Sequence, residues 1–306
     1  MKNNLFLTKR KGEDALYARI RDDKRGELCR QRLEQIWLEY CPYAHRGFRK
    51  KLQYEFHQRW WEMYLTIGLI RLCFPVSTFS QDDRPDMLLD FKETKVWIEA
   101  VAPKPGTKSD GVPEPVLNGV QDLPMRECLL RLTQALTEKR KRFSYYVQRG
   151  IVSENDVLVI ALSACALNTF GSLLEWPQPV MLRVLTGAGD LAIPLDLPHS
   201  PYSTRQDAIL RNSGSPVDTV LFEKEEYRII SGVLYSNADP VNAPLSPETT
   251  LSLFLNPKAD VEVPIGIRKK IVTWREERRT GTEIVWTKTQ PTGTSGSQPE
   301  PLVENI

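Results

Sequence analysis

The 306-residue sequence predicts an α/β fold with a central mixed β-sheet flanked by helices, and three observations carry this reading. Residues 86–91 and 95–102 read as two strands joined by the polar turn "KETK". The segment from Pro124 to Gly150 is a long amphipathic helical pattern, with proline at its start and glycine at its close. Residues 156–164, "DVLVIALSA", are almost continuously apolar, as in a strand covered on both faces. Strand, helix and buried strand make a crossover unit, and crossovers join parallel pairs.

Ahead of this unit, residues 1–45 read as a helical segment. Leu28, Leu33, Ile36, Trp37 and Tyr40 recur at helical spacing over about 22–40, and Pro42 follows as a stop signal. A second helix is expected over about 46–72. Its apolar residues cover most of the circumference and leave a narrow polar strip of Glu55, Arg59, Glu62 and Thr66. A proline- and glycine-rich loop fills 103–124. After the buried strand, "VMLRVLTGAGDLAIPLD", "VDTVLF", "YRIISGVLYS", "TLSLFL" and "KIVTWREERRTGTEIVWTKT" read as strands and hairpins, with "RRTGT" a turn. The expected organisation is a core over 46–165, a β-rich extension of the same domain over 166–289, and a disordered Pro/Gly/Ser/Thr-rich tail over 290–306.

Bulk properties narrow the function classes. A hydrophobic content of 41% supplies a real core, and no apolar run reaches the roughly 18 residues of a membrane span. The start "MKNNLFLTKRKGED" lacks a secretory signal, so a cytoplasmic protein with no membrane partner is expected. Five scattered cysteines without a Cys-x-x-Cys pair argue for reduced packing residues. Net charge is only +2, but residues 1–60 hold 15 Lys and Arg against 8 Asp and Glu, and "KRKR" at 139–142 and "RKK" at 268–270 add basic clusters. Those clusters suit either solvated helix faces or a phosphate-tracking surface.

Chemistry concentrates in "RPDMLLDFKETKVWIEAVAPKPG", residues 84–106. Alternation puts Trp97, Glu99 and Val101 on one strand face and Val96, Ile98 and Ala100 on the other. Asp86 opens the neighbouring strand, so a short turn brings it opposite Glu99, about 5 Å away. Two carboxylates that close repel and raise each other's pKa unless a cation lies between them. A hard divalent cation such as Mg²⁺ needs only one or two protein carboxylates. Glu62 and the backbone carbonyl of Ala100 are further candidate ligands. Such an ion acidifies bound water and neutralises charge building on a phosphodiester under in-line attack.

Plainer readings stand beside these. Glu62 suits an ion pair with Arg59 one helical turn away. Asp86 after Pro85 suits a turn former, and Lys139 a solvated helix position. Glu99, between "VWI" and "AVA", is poorly explained by solvation. His45, His57 and His199 match no triad or metal spacing, and Trp60 and Trp61 read as core.

The order of Glu62 on a helix, Pro85-Asp86, a hairpin, Glu99 on the next strand, a helix and a buried strand resembles the PD-(D/E)xK nuclease superfamily, the restriction-endonuclease-like fold, over roughly residues 50–165. The resemblance implies a metal-dependent nuclease that hydrolyses DNA or, less often, RNA with Mg²⁺ or Mn²⁺, in restriction, repair or defence. It makes Asp86 and Glu99 metal ligands and Glu62 the helix acid, and a homodimer is compatible with it. One departure matters: the family's lysine position, two residues after the acid, is Val101 here. Some members take that lysine from the following helix. Lys139 is the expected substitute, beside Arg131 and Gln134, with Lys104 as a second choice. Without such a lysine, the alternative is a catalytically inactive nucleic-acid-binding or protein-scaffold domain.

Overall fold

The run "VLVIALS" is buried at all seven positions, because strands pair on both its edges and helices cover both its faces. In the computed structural model, residues 4–79, 83–106, 109–116, 119–167, 175, 178–192, 202–280 and 283–292 are described. The first half runs α1 (Ala15–Asp22), α2 (Glu27–Tyr40), α3 (Phe48–Tyr54), α4 (Phe56–Arg71), β1 (Val76–Thr78), β2 (Met87–Asp90), β3 (Lys95–Val101), α5 (Met125–Gln148) and β4 (Val157–Ser163). The second runs α6 (Val180–Thr186), β5 (Ala188–Ala192), β6 (Tyr202–Arg205), β7 (Ala208–Leu210), β8 (Pro216–Asp218), β9 (Gly232–Ser236), β10 (Ser252–Leu255), α7 (Ile265–Arg268), β11 (Val272–Thr280) and β12 (Glu283–Thr289). Among the described residues, eight strands form one mixed sheet in the order β1-β2-β3-β4-β9-β10-β11-β12.

Two apolar layers clamp this sheet. Val96, Ile98 and Ala100 of β3 join Val157, Val159 and Ala161 of β4 against α1–α4. Trp97, Leu158, Ile160 and Leu162 point the other way, against α5 and α6. The β2–β3 hairpin is antiparallel and β3 runs parallel to β4, as the crossover pattern predicts. Register continues one row of side chains from Glu99 through Ile160 and Val233 to Phe254 and Trp274, whose rings stack 5.9 Å apart.

α4 explains its own odd composition. Eleven of its sixteen residues are buried, so it needs no single apolar stripe. Trp61 lies wholly in the core and donates its indole N–H to the Ala161 carbonyl at 3.0 Å. Burying each such side chain contributes about 2 kcal/mol or more, which outweighs the roughly 1 kcal/mol helix cost of Gly68. Gly68 also lets the 247–250 turn approach, since a Cβ there would sit 3.3 Å from Pro247 and from the Glu248 backbone.

Several expectations are corrected. The single helix over 46–72 is two, because Glu55 leaves helical geometry at φ −128°, ψ 50° and separates α3 from α4. "VMLRVLT" is helix α6, not a strand, and Gly187 ends it at φ +74° before β5 begins. "VDTVLF" gives the short β8, paired with β7 in a separate ribbon, then a 3₁₀ turn at Leu221–Glu223. β9 and β10 do extend the main sheet. The "RRTGT" turn falls partly outside the described residues, as does the tail beyond Thr292. All five cysteines are free thiols. Among the described residues, no helix is long and apolar enough to cross a membrane.

Candidate active site at the β2–β3 hairpin

Register makes the site. Met87 pairs with Ile98, which leaves Asp86, one residue earlier, beside Glu99. The Asp86 backbone N–H donates to Glu99 Oε2 at 3.2 Å, and the Ala100 N–H donates to Asp86 Oδ2 at 2.8 Å. Glu99 is only 1% exposed. Burial first, and then the Asp86 charge, push its carboxyl up to about 7, against the opposing pull of Lys139 and Arg142.

Two cations from α5 reach the same oxygen. Lys139 Nζ lies 3.2 Å from Glu99 Oε1, and Arg142 Nη1 lies 3.3 Å from it. Their side chains are 12% and 44% exposed, so the lysine is the enclosed partner and the arginine the outer one. Position 101 carries no such group: Val101 packs into the apolar layer under α5. The ammonium therefore arrives from the following helix, at Lys139. Lys104 is exposed on the loop after β3, and its charge is felt at His57. Arg131 and Gln134 pair with each other at 3.2 Å. The Arg131 guanidinium covers Gly106, where φ is +84° and a Cβ would lie 2.0 Å from Nη2. Their partners are each other and Glu138, not the site's carboxylates.

Glu62 comes from the opposite layer. Both of its oxygens accept from Arg59 Nη1, at 2.7 and 2.8 Å, so the plain ion-pair reading is realised. Burial first, and next the Asp86 charge, raise its carboxyl pKa. The Asp86 charge thus acts on both glutamates. Gln58, which sequence reasoning missed, ties this half together. Its side-chain N–H groups donate to Glu62 Oε1 at 2.9 Å and to the Ala100 carbonyl at 3.3 Å, and its Oε1 accepts from the Ala102 N–H at 2.9 Å. Arg142 was missed as well. The available signals were spacings: Gln58 lies four residues before Glu62, and Arg142 three after Lys139.

The donor set can be tested against a hard cation. Among the described residues, no group of three or more His, Cys, Asp or Glu side chains is arranged to hold a metal ion. Two carboxylates suffice for Mg²⁺, but both Glu99 oxygens already accept partners, so Asp86, Glu99 and the Ala100 carbonyl could hold such an ion only once Lys139 and Arg142 release Glu99 Oε1. Lys139 and Arg142 already relieve part of the repulsion between these carboxyl groups, and a cation would relieve the rest. Glu62 does not fit as a direct ligand while Arg59 holds both of its oxygens. Trp60 and Trp61 are core residues, as expected, and His57 sits against Phe56 with its pKa lowered by burial.

Comparison with known proteins finds no matching family model, no matching curated protein and no matching solved structure.

Proposed function

We propose that this protein is a metal-dependent nuclease built on a restriction-endonuclease-like core, hydrolysing phosphodiester bonds of DNA or RNA, with DNA the first expectation. The observation that carries the reading is the Lys139 ammonium 3.2 Å from Glu99 Oε1, beside the Asp86–Glu99 pair. It answers the valine at position 101. Further support comes from chain order: α4 with Glu62, the β2–β3 hairpin with Asp86 and Glu99, α5 with Lys139, then β4.

Asp86, Glu99 and the Ala100 carbonyl would hold Mg²⁺ or Mn²⁺. When bound, that ion would supply positive charge against the phosphodiester and a more acidic water. The chain's own groups do the rest. Lys139 presents its Nζ beside the site, where it can orient an attacking water or a phosphate oxygen. Asp86 is fixed by the Ala100 N–H, and Gln58 fixes the Ala100 carbonyl. Purified protein is expected to cleave DNA or RNA with Mg²⁺ and to lose cleavage on Asp86→Ala or Glu99→Ala with its fold intact. Undiminished cleavage in both variants would end the reading.

A second reading is favoured by one observation, the complete pairing of Glu62 with Arg59. It is a non-catalytic nucleic-acid-binding or scaffold domain on the same fold. It expects binding that survives EDTA and both alanine substitutions, with no cleavage under any divalent ion.

A further inference from the structure

We propose that the C-terminal half of α5 is the track along which a single-stranded nucleic acid reaches the Asp86–Glu99 pair, with Tyr145 stacking an unpaired base and Arg142 and Arg149 contacting its phosphates. This deepens the nuclease reading and rests on it.

A continuous line of contacts leads outward from the buried carboxylate. Arg142 Nη1 is 3.3 Å from Glu99 Oε1, and its Cζ lies 5.9 Å from the centre of the Tyr146 ring. Tyr146 is buried, and its hydroxyl donates to the Arg84 carbonyl just before Asp86. The Tyr145 ring meets Tyr146 edge-on at 6.0 Å, and Arg149 Cζ stands 6.0 Å from the Tyr145 ring centre. Residues 142, 145 and 149 fall on one helix ridge about 10 Å long. A lone surface aromatic is ordinary. This one ends a chain of contacts that begins at the candidate catalytic carboxylate, and it lies between two arginines.

Exposure and charge fit that role. Tyr145 is 51% exposed and the Arg142 side chain 44%. Residues 138–149 hold five cations, Lys139, Arg140, Lys141, Arg142 and Arg149, against the single acid Glu138, in a chain whose net charge is only +2. These cations add to the basic excess over residues 1–60 and put positive charge on the helix that covers the site, with Lys139 and Arg142 at Glu99 itself. Arg142 shields the Glu99 charge in the free protein and is placed to turn outward to an arriving phosphate. A single strand is favoured because Glu99 lies beneath α5 at only 1% exposed, and a flexible backbone can approach it more closely than a rigid duplex. The Tyr145 face, likewise, can be used only by a base free of its partner.

The test is fluorescence anisotropy in EDTA across a KCl series, using a labelled DNA strand of about 20 nucleotides, longer than a typical single-strand site, and its duplex. The wild-type protein should bind the single strand more tightly than the duplex. Tyr145→Ala should weaken single-strand binding by about 5- to 100-fold and leave duplex binding nearly unchanged, while Tyr145→Phe retains it. Arg149→Gln should reduce the slope of log K against log [KCl] by about 0.7. Equal or tighter duplex binding, or wild-type affinity in both Tyr145→Ala and Arg149→Gln, overturns the track. If the wild-type protein cleaves while those variants bind unchanged, only this inference fails. If it neither binds nor cleaves nucleic acid, the nuclease reading fails with it.

Discussion

Lys139 Nζ stands 3.2 Å from Glu99 Oε1, although the two residues belong to different elements forty positions apart. α5 crosses the sheet face on which Glu99 lies and brings the ammonium down onto it; under the nuclease reading it stands in for the lysine that Val101 replaces. Lys139→Met should therefore reduce cleavage by about 10²- to 10⁴-fold. Nucleic-acid affinity should stay close to wild type, whereas the unfolding midpoint should fall, because the buried Glu99 keeps only Arg142 as a counter-charge. Single-turnover kinetics on a labelled substrate distinguish this loss from a binding defect, and unchanged rates would return Lys139 to the status of a solvated helix residue.

Glu99 should make stability depend on pH in a defined direction. Its folded value of about 7 lies above the ordinary 4.5, so the folded protein holds a proton that the unfolded chain has released between those values. The stabilisation is full below about pH 4.5 and is lost as pH rises through about 7, a change on the order of 3 kcal/mol. Glu99→Gln cannot ionise. The variant should melt near the wild type at pH 4.5 and above it at pH 8 in metal-free buffer. A wild type that gains on the variant with rising pH would contradict this sign.

Mg²⁺ should stabilise the wild type through Asp86. At a hundredfold excess over its dissociation constant, a ligand that binds only the folded state contributes about 2.7 kcal/mol, enough to raise the melting temperature by several degrees. Asp86→Asn should abolish most of that rise. An equal rise in both proteins would place the ion elsewhere.

Arg59 is the counter-charge of a nearly buried glutamate, and its side chain is 18% exposed against 9% for Glu62. Arg59→Met leaves Glu62 unpaired and should cost about 3 kcal/mol in urea unfolding. Glu62→Gln should cost less, because the outer Arg59 keeps Glu55 as a partner. Adding Glu62→Gln to Arg59→Met should restore part of the loss, a coupling that a double-mutant cycle measures.

The layout of the first half was legible in the sequence because its signals are local. Pro124 precedes helix α5, the run at 156–164 becomes the central strand, and the hairpin register follows from alternation. Asp86 beside Glu99 was legible for the same reason. The break at Glu55 was not, since no proline or glycine marks it. Helix α6 was mistaken because a short apolar run suits strand and helix alike, although Gly187 was a usable stop signal. Arg142 could not be told from its neighbours in "KRKR" without knowing which side of α5 faces the sheet. The pairing of Glu62 with Arg59, by contrast, was already contained in their spacing.

The central position of β4 limits how far the protein can be trimmed. β4 takes hydrogen bonds from β3 on one edge and from β9 on the other, and β9 arrives nearly seventy residues later in the chain. A fragment ending near residue 165 would keep Asp86, Glu99 and Lys139 yet leave a seven-residue apolar strand with a raw edge, the geometry that invites sticking between copies. The candidate site and the later strands must therefore be made, and evolve, as one piece.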